Sequence, residues 1–232
     1  MRPVNRGSAP VNASRTPVKR KEYQAFRRDL IDCLGEYCSY CGMELDTLLA
    51  IEHMKPKTHH PKLECYWDNL MLACTNCNST KGADDIKLYD HFWPVRDNTF
   101  RAFRYSVGGI VQPDPSLSPT DTAMATATIE LVGLDKTPTS DPKASDRRWE
   151  NRREAWDMAE RAKQRLARNN TLEMREQIVE NAQSKGYWSI WMTVFQGDSD
   201  MLNRLIDAFP GTRSANCFDP HGIPTPRAGG KL

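Results

Sequence analysis

Four of the seven cysteines fall in two Cys-x-x-Cys pairs, Cys38/Cys41 and Cys74/Cys77, with 32 residues between the pairs. Each pair sets two sulfurs on one face of a tight turn, and two pairs complete a tetrahedral all-sulfur shell. Such a shell suits Zn2+ and leaves no ligand position open, so the expected role of the ion is structural. The two pairs must therefore meet in space, and the residues between them must form a compact insert. An odd cysteine count without a secretion signal points to metal thiolates rather than a disulfide framework. Cys33, Cys65 and Cys217 read as small buried hydrophobes.

A chain of 232 residues with 39% hydrophobic content has room for one large domain, or for a small one with an accessory part. No apolar run approaches the roughly 18 residues of a membrane span. The start, Met1-Arg-Pro-Val-Asn-Arg-Gly, has no apolar stretch of the kind a secretory signal needs. The expectation is a soluble cytoplasmic protein with no membrane contact. A net charge of +2 conceals an asymmetry: residues 1–22 hold six basic groups (Arg2, Arg6, Arg15, Lys19, Arg20, Lys21) against Glu22 alone. With three prolines and no aromatic residue before Tyr23, this arm cannot build a core of its own. It reads either as a solvated tail or as a contact for nucleic acid or a partner.

Tyr23 to Leu34 has the spacing of an amphipathic helix, with Phe26, Leu30 and Leu34 four apart and Gly35 placed to end it. Thr47 to His53 reads as a short strand, 54–67 as a polar loop, and Asn69 to Ala73 as a second strand in which Leu70 and Leu72 alternate with their neighbours. A helix is expected from about Asn76, with that residue as its N-cap. Further on, Phe100 to Gln112 suggests a hairpin turning at Gly108-Gly109, Ala123 to Leu134 a helix, and 135–145, with Pro138 and Pro142, a connector. From Ser145 the chain is helical in character: Ala155, Ala159, Ala162 and Leu166 form one stripe, flanked by Trp149 and Trp156. Apolar segments follow at Tyr187–Phe195 and Met201–Phe209. This divides the chain into a basic arm (1–22), a cysteine-bearing module (23–95), a hairpin, helix and connector (96–144) and a helical part with its tail (145–232). The alanine and tryptophan stripe is read as core, without chemistry.

The insert between the knuckles holds Glu52-His53 at the end of the first strand and Asn69 before the second, and Asn78 and Lys81 follow Cys77. Each alone has a dull reading, since histidine at a strand end and asparagine near a turn are ordinary. Together the strings CSYCG, IEHMKPK and WDNLMLACTNCNSTKG resemble the HNH nucleases, the ββα-metal class, in the form stapled by two Cys-x-x-Cys knuckles. The expected fold is α+β: a zinc-stapled ββα-metal module followed by a mostly α-helical C-terminal part. The resemblance implies that His53 is the general base and that Asn69 fixes the loop and the histidine. It implies that Glu52 and Asn78 are oxygen ligands of a catalytic divalent ion, which would stabilise charge on the phosphate oxygens. Asn78 stands where many family members have histidine, which favours Mg2+ or Mn2+ over a softer ion. Lys81, one helical turn past Asn78, is expected at a substrate phosphate, as are Lys55 and Lys57, whose plainer reading is loop solubility.

The layout around the module is similar to that of the PtuB-like HNH nucleases of Septu and retron-associated anti-phage systems, on the opening Met-Arg-Pro-Val-x-Arg-Gly, HFWPVRDNTFRAFRYSVGGIV and a closing CFD. That resemblance implies DNA as substrate and a PtuA-like ATPase oligomer of the ABC/SMC type as partner. Two other readings stay open: a stand-alone restriction enzyme resembling the McrA group, and a four-cysteine zinc module that binds nucleic acid or protein without cutting.

Overall fold

A computed structural model describes residues 1–46, 49–137 and 146–232. A 3-10 turn at Tyr23–Phe26 buries Phe26, and helix α1 (Arg27–Leu34) buries Leu30 and Leu34, four apart as the spacing predicts, and stops at Gly35. The first knuckle, Cys38–Cys41, leads to strand β1 (Leu49–His53); Thr47 and Leu48, included in the expected strand, lie outside the described residues. A loop containing two 3-10 turns returns the chain to β2 (Leu70–Cys74), antiparallel to β1, with Glu52 opposite Met71 and His53 opposite Leu70. All five β2 residues are buried, so the expected alternation fails. The rest of the chain covers both faces of the hairpin, and a strand buried on both sides needs no polar face.

Helix α2 (Thr75–Lys81) follows β2 directly. Its N-cap is Cys74 rather than Asn76: the Cys74 sulfur accepts the Cys77 backbone N–H at 3.3 Å, so the metal-binding turn caps the helix itself. A short helix, α3 (Thr99–Ala102), precedes the hairpin of β3 (Phe103–Ser106) and β4 (Ile110–Pro113). Helix α4 (Pro119–Val132) begins four residues before its expected start, because Ser118 caps it and Pro119 occupies its first position. Of the predicted connector, 138–145 lies outside the described residues, as does Ser145, where the helical part was expected to begin.

Helices α5 (Arg148–Arg168), α6 (Leu172–Lys185), α7 (Trp188–Val194) and α8 (Ser199–Ala208) complete an α+β fold. Helix α5 packs on α6 and α7 through its alanine stripe, with Ala155, Ala159, Ala162 and Leu166 all buried. This helical part is not hung on the module from outside. One contiguous apolar cluster runs from Met1 through both knuckles to Phe209. A backbone bridge joins Met43 to Gly186, where a Cβ would lie 2.6 Å from Glu44 N and Gly42 O; only glycine lets the knuckle and the α6 terminus approach so closely.

The basic arm departs most from expectation. Met1 to Val4 are buried, and so is Arg6. Arg2 donates to Leu34 O at 2.5 Å and Thr212 Oγ1 at 2.7 Å, and Arg6 to Leu70 O at 2.7 Å. These guanidiniums are spent inside the fold, Arg6 also on the Asp68 carboxylate at 3.1 Å, and only the stretch beyond Gly7 stays largely exposed. Cys33 and Cys65 are half-buried rather than buried, and Cys217 alone of the three is enclosed. No described helix is long and apolar enough to cross a membrane.

Candidate functional site

The four knuckle sulfurs converge: one ligand atom from each of Cys38, Cys41, Cys74 and Cys77 lies within 4.8 Å of the others, and all four residues are buried. Hydrogen bonds from Cys38, then Cys41 and Cys77, hold the Cys74 thiol far below its usual pKa, whereas burial pushes Cys77 up. Four sulfurs this close cannot all ionise without a cation among them. The donor set and its closed geometry fit structural zinc.

The ββα arrangement carries the remaining candidates. Neighbouring residues on a strand face opposite ways, so Glu52 turns inward while His53, at the strand end, turns to the 54–68 loop. His53 is 8% exposed, with Nε2 at 2.9 Å from Glu64 O and its ring edge-on to Tyr23 at 4.7 Å. A carbonyl oxygen can only accept, so Nε2 carries the proton and Nδ1 keeps the free lone pair. Burial lowers the His53 pKa, partly opposed by that carbonyl, and favours the neutral ring.

Asn69 braces the loop. Its Oδ1 accepts from Lys55 N at 2.7 Å, and its Nδ2 donates to Lys55 O at 2.9 Å and Leu63 O at 3.2 Å. Its own carbonyl accepts from Met54 N, the residue after the histidine. The side chain thus ties the two ends of the loop together and bonds only to backbone.

Glu52 and Lys81 meet in the interior. The Lys81 ammonium lies 2.9 Å from Glu52 Oε1 and donates to His53 O at 2.8 Å, while Tyr40 OH donates to the same carboxylate oxygen at 3.3 Å. Lys81 is 2% exposed and Glu52 3%. Burial raises the Glu52 pKa and the adjacent Lys81 pulls it back. The expectation of a phosphate contact at Lys81 is therefore corrected: its charge neutralises a buried carboxylate, because an unpaired carboxylate there would be far costlier. Lys55 is also engaged, with Nζ at 2.6 Å from Ile86 O and 3.1 Å from Asp85, which also bonds His60 at 2.6 Å. Lys57 is the most exposed of the three: its side chain is 43% exposed, with the ammonium 4.5 Å over the Tyr23 ring and 3.3 Å from Glu64 Oε1.

The expected catalytic ion fares differently from zinc. Asn78 is half-buried on α2, and its side chain makes no hydrogen bond among the described residues. Glu52, however, is closed off by Lys81 and Tyr40, and the four-cysteine cluster is the one group of three or more metal-ligating Cys, His, Asp or Glu side chains among the described residues. As arranged, Glu52 and Asn78 do not fit a hydrated divalent ion, which needs open oxygen donors. Sequence reasoning missed Tyr40, Tyr23 and Glu64. Tyr40 is an ordinary knuckle residue until folded, and Glu64 acts through its backbone, which no side-chain pattern signals.

Lys81→Met is expected to destabilise the protein by about 3–5 kcal/mol, because it strands the buried Glu52 carboxylate. Pairing it with Glu52→Gln should restore most of that loss in urea unfolding. If the single variant unfolds at the wild-type midpoint, the ion pair is not what holds α2 to β1.

Residues 38–84 match the HNH endonuclease family. The chain is 33% identical over 86 residues to Septu protein PtuB of Bacillus thuringiensis, an alignment covering 34% of each protein. The chain thus spans about a third of the length of that curated relative.

Proposed function

We propose that this chain, which carries an HNH endonuclease domain at residues 38–84, hydrolyses phosphodiester bonds of DNA as the nuclease of an anti-phage complex. The observation that supports it most is the setting of His53: a neutral imidazole fixed through Nε2–H by the Glu64 carbonyl, with Nδ1 left as proton acceptor. In this reading Nδ1 takes the proton from the attacking water. Asn69 keeps the loop, and with it Glu64, in register with the ring. Lys81 holds the His53 carbonyl and so fixes the strand end behind the ring. Lys57 is the cation best placed to meet a phosphate from outside. The likeness to Septu protein PtuB supports the defence setting, and a PtuA-like ATPase oligomer of the ABC/SMC type belongs to the same reading. Dependence on Mg2+ or Mn2+ is part of it as well; no step is assigned to the ion, since Glu52 is paired to Lys81.

The buried Glu52–Lys81 pair favours one competing reading, a zinc-stapled module that binds nucleic acid without cutting it. A single assay separates the two. Purified protein, alone and with any ATPase that a pull-down from its host recovers, is incubated with supercoiled plasmid and excess Mg2+ or Mn2+. Nicking or linearisation supports the nuclease; plasmid binding without cleavage under every condition sinks it. Sequence-specific cutting by the chain alone would instead favour the stand-alone restriction enzyme. The rate is expected to rise with pH and to level off near neutrality. Burial moves the His53 pKa below its ordinary value of about 6.5, so the base is already unprotonated at pH 7. An acid limb centred above pH 7 would assign the base elsewhere.

A further inference from the structure

Two guanidiniums lie deep in the fold, one turn apart on the inner face of α5, and the nuclease reading uses neither. Arg148 is 2% exposed and Arg152 is 1% exposed. Arg148 Nη1 donates to the Cys77 sulfur at 2.9 Å and to Val132 O at 2.7 Å, and Nη2 reaches Gly133 O at 3.2 Å. The Asp146 carboxylate holds Nε at 2.9 Å and Nη2 at 2.5 Å. Arg152 donates to Gly109 O at 2.9 Å and Leu134 O at 2.7 Å, and its Nη1 is buried with no hydrogen-bond partner.

Enclosing a cation is costly unless an anion is near. The Arg148 guanidinium has Asp146 on one edge and the Cys77 sulfur on another, whereas the hydrogen bonds of Arg152 go only to backbone carbonyls. One divalent cation on four thiolates leaves two negative charges inside a low-dielectric core, and Arg148 touches one of the four sulfurs. Thiolates on a metal also accept hydrogen bonds, and groups that donate to ligands fix their orientation and tune the hold on the ion.

We propose that Arg148 is a positioning residue of the zinc tetrathiolate, donating to the Cys77 thiolate and offsetting part of the charge that the four sulfurs carry. Helix α5 is then part of the metal centre as well as of the core, and the C-terminal helical part has a chemical reason to be attached to the module. Zinc holds α5 down through charge, and α5 holds zinc through the same charge. This inference does not depend on whether the protein cuts DNA.

The test is zinc release from the purified full chain to a chromogenic chelator, with zinc content measured before and after. Arg148→Met is expected to release zinc about 10–100-fold faster than wild type. Arg148→Lys, which keeps the charge, should recover part of that loss. Arg152→Met serves as the control for a merely structural role: it removes the bonds to the Gly109 and Leu134 carbonyls but leaves the Nη1–sulfur bond of Arg148, so melting should fall while zinc release stays at the wild-type rate. Release from Arg148→Met at the wild-type rate overturns the proposal, and so does Arg152→Met loosening zinc as much as Arg148→Met. Should Arg148→Met fail to fold, Arg148→Lys is read instead: release faster than from wild type supports the sulfur contact, and release at the wild-type rate refutes it.

Discussion

Cys77→Ser is expected to empty the zinc site and unfold the module from Cys38 to Lys81. A serine hydroxyl stays protonated at neutral pH, so the shell loses a thiolate, and the ion loses a ligand that no other group can replace. Structural zinc is worth about 10–16 kcal/mol in isolated zinc-finger peptides at pH 7, while whole domains are stable by only about 5–15 kcal/mol. Losing even part of the first quantity exhausts the second. Two further losses act in the same direction. Cys77 is fully buried, so the substitution leaves a polar hydroxyl in the core. Arg148 Nη1 loses its sulfur acceptor. Because the knuckles share one apolar cluster with α5 and α7, the effect should reach the tryptophans of the C-terminal part. Zinc content by elemental analysis and thermal melting followed by tryptophan fluorescence check this. A Cys77→Ser protein with wild-type zinc content and melting would show that the four cysteines are not a structural metal site.

On the proposed nuclease reading, His53→Ala should do the opposite, leaving the fold and removing the chemistry. A positioned general base contributes about 10²–10⁴-fold in rate, and plasmid cleavage should fall by at least that factor. The stability cost should be modest, about 1–3 kcal/mol. The ring packs against Tyr23 at the edge of the core and makes a single hydrogen bond, to Glu64 O. His53→Gln provides the sharper comparison, since its amide N–H can still donate to Glu64 O but offers no basic nitrogen. Melting near the wild-type value with cleavage lost would locate the effect in proton transfer. Cleavage by both variants at the wild-type rate would remove His53 from the reaction.

The contrast between these two substitutions shows how unevenly the site is written along the chain. Each Cys-x-x-Cys pair is a local instruction, because two residues three apart on a tight turn face the same way whatever surrounds them. Two such turns plus one ion require closure, so the four-cysteine cluster was legible before folding. The order of strand, loop, strand and helix was legible for the same reason: periodicity and turn chemistry are short-range. The bounds that slipped were set by short-range signals read incompletely, such as Ser118-Pro119 before α4 and the sulfur cap of α2.

The identity of each ionisable partner was not legible. Lys81 follows Asn78 by one helical turn, and spacing alone allowed its ammonium to face either solvent or core. What turned it inward is Glu52, 29 positions earlier, which β1 delivers beneath the end of α2. Arg2 and Arg6 read as a solvated basic arm because nothing near them in the chain is apolar enough to bury them. Their partners, Thr212 and the carbonyls of Leu34 and Leu70, lie up to 210 residues away. Residue types and local spacing determined by themselves the four sulfur ligands, the ββα order and the candidate base. Only the tertiary structure decided which charges are spent inside: Lys81 on Glu52, Arg148 on Cys77, Arg2 on backbone carbonyls. The reason is that a buried charge must find its counterpart across space, and the cost of leaving it alone depends on what the whole fold places around it.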